Sequence, residues 1–205
     1  MRKSTIVLLV TALASLGYVN GIAWYYATIR SEGTLVYLEL APVDPLSLVQ
    51  GQYMQLRFKL EQDGTELHEE DLEPFTLDPN ADVLAVLELD NNRIGTVTRL
   101  IPSNLANTMT ERFDNEFGST GYALLSIEVN DEFRSLVARS RHQRPDHAPS
   151  VSIKLRQNSF LFEENTPDRY EQARYGILRV TAGGDYILVD LAGADLLPLT
   201  PTRNR

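Results

Sequence analysis

Glu163 and Glu164, with Tyr170, Arg174 and Tyr175 close behind, form the best polar constellation in this 205-residue chain. On a strand–turn–helix unit these side chains converge. Arg174 would then clamp a carboxylate bidentately, and a carboxylate pair beside two tyrosines suits ligand binding or acid–base chemistry. The structural alternative is an ion pair and two tyrosines locking a helix onto a sheet. Tyr170 and Arg174 are four residues apart and share a helix face, a spacing that serves packing equally well. A second group, Arg139, Arg141, His142, Arg144, Asp146 and His147, is a basic island in an acidic chain. His142, Asp146 and His147 are metal-ligand types, but their spacing fits no strong template and one exposed loop rarely preorganises a site. An exposed loop or a docking patch for an acidic partner is the expected role. His68 lies among glutamates and reads as a surface residue. The chain has no G-x-S-x-G, no H-E-x-x-H and no phosphate-cradling glycine loop. With no cysteine it has no disulfide, thiolate nucleophile or zinc–thiolate site. No catalytic residue, metal or cofactor is expected from these patterns.

The elements that must position such residues read mainly as strands. Thr34 to Leu40 alternates, with Val36, Leu38 and Leu40 on one face, and Pro42 and Pro45 stop it. From Gly51 the pattern is clearest. Met54, Leu56, Phe58 and Leu60 alternate with Tyr53, Gln55, Arg57 and Lys59, one face dry and one wet, until Asp63-Gly64 turns the chain. The segment 66–74 is acidic and reads as a solvated loop or short helix. Val83 to Leu89 and Ile94 to Leu100 flank Asp90-Asn91-Asn92-Arg93 as a hairpin. Ser103 to Phe117 holds a short helix, Tyr122 to Val129 a strand, and 130–149 an exposed loop with some helix. Val151 to Arg156 and Ser159 to Phe162 read as a strand pair around Gln157-Asn158. Pro167 to Arg174 reads as a helix with Thr166 as N-cap and Pro167 at its first position. Ile177 to Thr181 and Tyr186 to Leu191 form a final hairpin. No solenoid-type repeat is present. The pattern predicts a single mainly β (β-rich α+β) antiparallel domain, with about eight or nine strands and one or two short helices.

Ahead of this domain stands an apolar segment. Met1-Arg2-Lys3 is followed by an uncharged run from Ser4 to Ile29, and no Asp or Glu precedes Glu32. A spanning helix needs about 20 mainly apolar residues, and Ile6 to Ala27 supplies them. Trp24, Tyr25 and Tyr26 suit the headgroup zone, and Arg2 and Lys3 place the N-terminus inside and the bulk of the chain outside. The expectation is a signal-anchor within residues 1–30 (helix about 6–27) and an extracytoplasmic domain over 31–205, held single-pass in a bacterial inner membrane and facing the periplasm. The rival is a cleaved signal peptide. Ala12-Leu13-Ala14 has the A-x-A form, but cutting there leaves a short apolar core; a later cut would follow Gly17 or Asn20-Gly21-Ile22-Ala23, neither a strong match. One-sided polarity, the mark of a surface helix, is missing. Three of the 19 basic residues and none of the 28 acids precede residue 31, leaving 16 against 28 outside, a net charge of −12. That charge opposes nucleic acid as a partner and broad adhesion to anionic lipid.

Asp44-Pro45-Leu46-Ser47-Leu48-Val49-Gln50-Gly51-Gln52-Tyr53-Met54-Gln55-Leu56-Arg57-Phe58 resembles the GDYXXLXY family of membrane-anchored bacterial proteins, whose pattern is D-P-x-x-L, then G-D-Y, then a strand ending x-L-x-Y. Phe160-Leu161-Phe162-Glu163-Glu164-Asn165, then Tyr170-Glu171, Ala173-Arg174-Tyr175-Gly176 and Arg179-Val180, is similar to the family's second stretch. The resemblance covers residues 30 to 199 and implies an outward-facing domain, often encoded beside multi-pass membrane proteins, hence an accessory or assembly partner. It implies no catalytic activity. The motif Asp is Gln52 here and the final Tyr is Phe58, so neither a carboxylate at 52 nor a hydroxyl at 58 is required. A turn role for Gly51 and Gln52 fits better, with glycine supplying the tight backbone. The motif positions Gly51, Gln52, Tyr53, Leu56 and Phe58 are therefore read as structural. A literal Gly184-Asp185-Tyr186 falls in the last hairpin, out of order, and is read as a chance turn. Ser47 after Asp44-Pro45 resembles the nucleophile region of membrane-anchored Ser-Lys peptidases, but Lys59 and Lys154 carry no supporting pattern.

Three functions follow as expectations. The first is an accessory subunit that binds another integral membrane protein through an apolar or aromatic patch near Tyr53. The second is a small-ligand module using the region from Glu163 to Tyr175. The third, a hydrolase, requires a nucleophile and a base within hydrogen-bond reach.

Overall fold

The computed structural model describes residues 3–41, 49–50, 53–63, 82–118, 121–130, 153–161 and 167–200. Helix α1 (Lys3–Glu32) runs unbroken for 30 residues, enclosing the expected span. Its length of about 45 Å at 1.5 Å per residue exceeds a bilayer's hydrocarbon core of about 30 Å. Side chains from Ser4 to Ala27 are all exposed. Two polar side chains within the run bond to their own helix. Thr11 Oγ1 donates to the Val7 carbonyl at 2.9 Å and Asn20 Nδ2 to the Leu16 carbonyl at 2.7 Å, which satisfies groups that lipid cannot solvate.

One residue, Gly33, separates α1 from strand β1 (Thr34–Glu39). β1 pairs antiparallel with β9 (Tyr175–Val180), and β9 with β10 (Tyr186–Ala192), in the order β1-β9-β10. A four-stranded sheet has the order β5-β4-β6-β7, from β4 (Val83–Leu89), β5 (Gly95–Pro102), β6 (Tyr122–Val129) and β7 (Ile153–Lys154). The third sheet is small, β2-β3-β8, from β2 (Val49–Gln50), β3 (Tyr53–Gln55) and β8 (Ser159–Leu161). Helix α2 (Lys59–Asp63) follows β3, and a 3-10 turn (Ser103–Leu105) leads into α3 (Ala106–Phe117).

The four-stranded sheet is covered on both faces. Val83, Ala85, Leu87 and Leu89 of β4, with Ala123, Leu125 and Ile127 of β6, face the β1-β9-β10 sheet through Val36, Leu38, Leu178 and Val180. Leu84, Val86 and Leu124 face the other way onto α3. There Ala106, Met109, Phe113 and Phe117 recur at helical spacing and form one buried stripe. Tyr122 closes that layer, its ring 5.2 Å from Phe113 and 5.8 Å from Phe117. This double coverage explains why residues 83–87 are buried without a break where a half-exposed strand would alternate. The register of β4 on β5 shifts between Val86 and Leu87, and the hydroxyl of the extra residue, Thr98, donates to the Val86 carbonyl at 3.1 Å. An Arg99–Glu116 ion pair ties β5 to α3.

The hairpin 83–100, the helix within 103–117, the strand 122–129 and the final hairpin agree with the sequence reading. Three elements differ. The strand expected from Met54 to Leu60 is ladder only over Tyr53–Gln55 and becomes helix at Lys59. Its alternation survives all the same, because Met54, Leu56 and Phe58 are buried while Gln55 and Arg57 are exposed. The cause is Glu61, whose Oε2 accepts the Phe58 N–H at 3.2 Å in capping-box fashion and whose Oε1 accepts the Leu155 N–H at 3.0 Å. Of the expected pair 151–156 and 159–162, the described residues 153–156 and 159–161 do not pair with each other. β7 joins β6 and β8 joins β3, since the Tyr186 hydroxyl captures the N–H groups of Arg156 and Gln157 between them. Helix over 167–174 is confined to Pro167–Tyr170. Arg174 N–H already donates to the Ala192 carbonyl at 2.8 Å, drawing the chain into the sheet. Ten strands stand among the described residues, several of two or three residues.

Candidate functional site

The first motif segment meets the second around one ring. Phe58 has 0% exposure. A Cβ on Gly176 would lie 2.7 Å from Phe58 Cε1 and 3.2 Å from Leu188 Cδ1, so only glycine leaves room for the ring. Backbone bonds fix the approach: Leu40 N–H donates to the Arg174 carbonyl and Ala41 N–H to the Arg57 carbonyl, both at 2.8 Å. Lys59 Nζ reaches Glu39 Oε2 at 3.0 Å on the outside. Leu56 is buried in the same core. Leu56 and Phe58 are both core side chains here, and Phe58 fills its enclosed site with no hydroxyl. Gly51 and Gln52 lie outside the described residues, so their turn role is untouched. Tyr53 enters β3 opposite Leu161.

The second segment separates its expected partners. Tyr170 is buried, its ring 5.4 Å from Phe160, and its hydroxyl lies 3.3 Å from Thr200 Oγ1. Thr200 Oγ1 in turn donates to Asp190 Oδ1 at 2.8 Å, which also accepts the Leu191 N–H. Arg174 lies past the helix end with its side chain exposed, so it does not share a helix face with Tyr170. Tyr175 is half-buried and meets Tyr37 edge-on, centroids 6.5 Å apart. Glu163 and Glu164 lie outside the described residues, as do His68 and the basic island from Arg139 to His147. What the structure shows of this group is packing and sheet entry. Among the described residues no buried side-chain nitrogen or oxygen lacks a hydrogen-bond partner, and no three His, Asp or Glu side chains gather as a metal site.

The hairpin triplet 184–186 is a structural node. Gly184 has φ +92°, which L side chains rarely adopt, and a Cβ there would meet Leu84 Cδ2 at 2.8 Å. Its carbonyl accepts the Ser126 N–H at 2.8 Å, joining two sheets. Asp185 accepts the Tyr25 hydroxyl from α1. Tyr186 is buried, and its hydroxyl accepts the N–H groups of Arg156 at 2.8 Å and Gln157 at 3.3 Å. Burial raises its pKa above the ordinary 10.0, opposed by those two donors. The turn was legible from its glycines; the long-range ties were not, since their partners lie up to 160 residues away. Glu61 was missed for the same reason, although a glutamate three residues into a helix is a recognisable cap signal.

On α1, Tyr18, Ile22, Tyr25 and Tyr26 surround Gly21 in a shallow open hollow. At the domain end, Ile29 is 2% exposed, Gly33 N–H donates to the Ile29 carbonyl, and Arg179 Nη1 donates to the Gly33 carbonyl, both at 2.9 Å.

Among known proteins, no curated protein and no solved structure matches this chain. A family model does: that of the GDYXXLXY protein matches residues 15–191, taking in the end of α1, both motif segments and the last hairpin. An apolar N-terminal helix, antiparallel sheets and two motifs packed on each other at Phe58 and Gly176 accompany that match, and the chain belongs to the GDYXXLXY protein family.

Proposed function

We propose that this protein is a single-pass membrane protein of the bacterial envelope whose β domain faces the periplasm and acts as a non-catalytic accessory subunit of a multi-pass membrane protein. The observation that carries the reading is α1. It is long and apolar enough to span, its side chains from Ser4 to Ala27 are exposed among the described residues, and it enters the domain through a single residue. A helix kept bare in this way is suited to lipid or to other helices. The basic residues at its start favour an inner N-terminus.

The partner-binding part of the reading is supported by the small β2-β3-β8 sheet. Leu161 is 72% exposed at the outer end of β8, Tyr53 is its register partner in β3, and exposed Arg57 follows two residues beyond that strand. An exposed leucine at one end of the β3–β8 pair and an exposed arginine past the other end suit a docking face that combines apolar contact with an ion pair. The experiment is affinity purification of the full-length protein from mild-detergent membranes, with mass spectrometry of what co-purifies. Recovery of one multi-pass protein by wild type, lost in a Tyr53→Ala, Arg57→Ala, Leu161→Ala variant that melts like wild type, is the expected result. Recovery of the protein alone would refute the accessory role and move attention to small ligands around Tyr170 and Tyr175.

A further inference from the structure

We propose that the β9–β10 turn (181–185) rests in the phospholipid headgroup layer of the membrane that α1 spans, so that the β domain is clamped against the lipid surface and does not swing on a tether. This rests on the anchored reading above. The depth follows from the helix. Starting at Ile6, twenty residues at 1.5 Å each cross about 30 Å and end at Tyr25. With Trp24 and Tyr26 beside it, that is where an aromatic belt marks the edge of the hydrocarbon. Asp185 accepts a hydrogen bond from the Tyr25 hydroxyl. The turn carrying Asp185 therefore lies at the depth of Tyr25, alongside the last two turns of α1.

The joint does not let the turn leave. α1 and β1 share Gly33 with no linker between them, and a Cβ there would meet the Ile29 carbonyl oxygen at 2.5 Å and the Val180 nitrogen at 3.1 Å. Ile29 is buried under the domain, and Arg179 holds the Gly33 carbonyl from β9. The turn's chemistry suits the layer. Between Arg179 and Asp190 the only charged side chain is Asp185, whose carboxylate is already bonded to Tyr25. Ala182 and Gly183 are exposed and small, with no bulky aliphatic group to drive insertion into the acyl chains. A small turn whose one carboxylate is hydrogen-bonded fits among headgroups without entering the hydrocarbon.

The chain has no cysteine, so single nitroxide labels can be placed at will on the full-length protein in vesicles of phosphatidylethanolamine and phosphatidylglycerol. Leu16→Cys reports the centre of α1, Ala182→Cys the turn, and Ala194→Cys the far end of β10. Collision rates with oxygen and with a water-soluble nickel chelate give the depth of each. Expected is a hydrocarbon signature at 16, a bulk-water signature at 194, and at 182 a nickel collision rate several-fold below that at 194. A signature at 182 equal to that at 194, with 16 in hydrocarbon, overturns the clamped turn and leaves the anchor standing. Water at 16 as well removes the anchor, and the turn proposal with it.

Discussion

At the scale of single residues, the two family motifs are best understood as one packing contact. Phe58 and Gly176 are 118 positions apart in the chain yet occupy one another's space, so Gly176→Ala is expected to destabilise the domain by about 1–3 kcal/mol through overpacking and Phe58→Ala by about 3–5 kcal/mol through the cavity it leaves. Urea unfolding of the detergent-solubilised protein checks both. The double variant should cost less than the sum, because the smaller side chain makes room for the new methyl; strict additivity would mean the two do not share a space. Tyr186 gives a pH-dependent counterpart. Its folded pKa lies above 10.0 because burial disfavours the phenolate. Its contribution is then fully present below pH 10 and is lost as pH rises through the folded pKa, since the native state binds the proton that the unfolded chain releases. Thermal melts from pH 8 to pH 11 should fall at the alkaline end in wild type. In Tyr186→Phe they should start lower, with two N–H groups unpaired, and fall less. Sequence alone read Leu56 and Phe58 as structural because apolar types at strand spacing have few other uses, and it offered Tyr170 as a binding residue with packing as the alternative. It did not mark Glu61 or Asp185, whose partners are a backbone amide and a helix tyrosine brought near only by the fold.

At the scale of elements, periodicity was reliable where one strand's surroundings were uniform and failed where they changed. The 83–100 hairpin carries its partner within a turn's reach, so pattern and pairing coincide. The 53–60 segment keeps its alternation after its ladder ends, because burial follows the backbone's direction while the ladder needs a neighbour, and Glu61 converts the backbone to helix first. The 151–162 segment contains two strand-like runs, and nothing in their side chains says that each pairs elsewhere. The joint between α1 and β1 is an element-scale feature with its own test. Gly33→Val places side-chain atoms against the Ile29 carbonyl and Val180, so the last turn of α1 must loosen. In micelles, trypsin cleavage after exposed Arg30 should be slow in wild type and several-fold faster in the variant. Equal rates would show that the joint does not depend on the glycine.

At the scale of the whole molecule, three layers are arranged so that the four-stranded sheet is dry on both faces, with α3 on one side and the β1-β9-β10 sheet on the other. In a domain built this way the buried side-chain nitrogens and oxygens of the described residues all have hydrogen-bond partners. The long apolar helix was fully legible in the sequence, since length, absence of charge and the terminal aromatics are local properties. How the domain sits on that helix was not, because Asp185 meets Tyr25 and Arg179 meets Gly33 only once β1, β9 and β10 have paired. The central claim is that α1 is retained as an anchor bearing an outward-facing domain. The most direct measurement is intact-mass spectrometry of the protein from carbonate-washed inner membranes, combined with protease added to spheroplasts. The account predicts a full-length 23.1 kDa species in the membrane pellet, with its β domain cut by external protease. A shorter species in the soluble periplasmic fraction, lacking the first 20 or so residues, would contradict it.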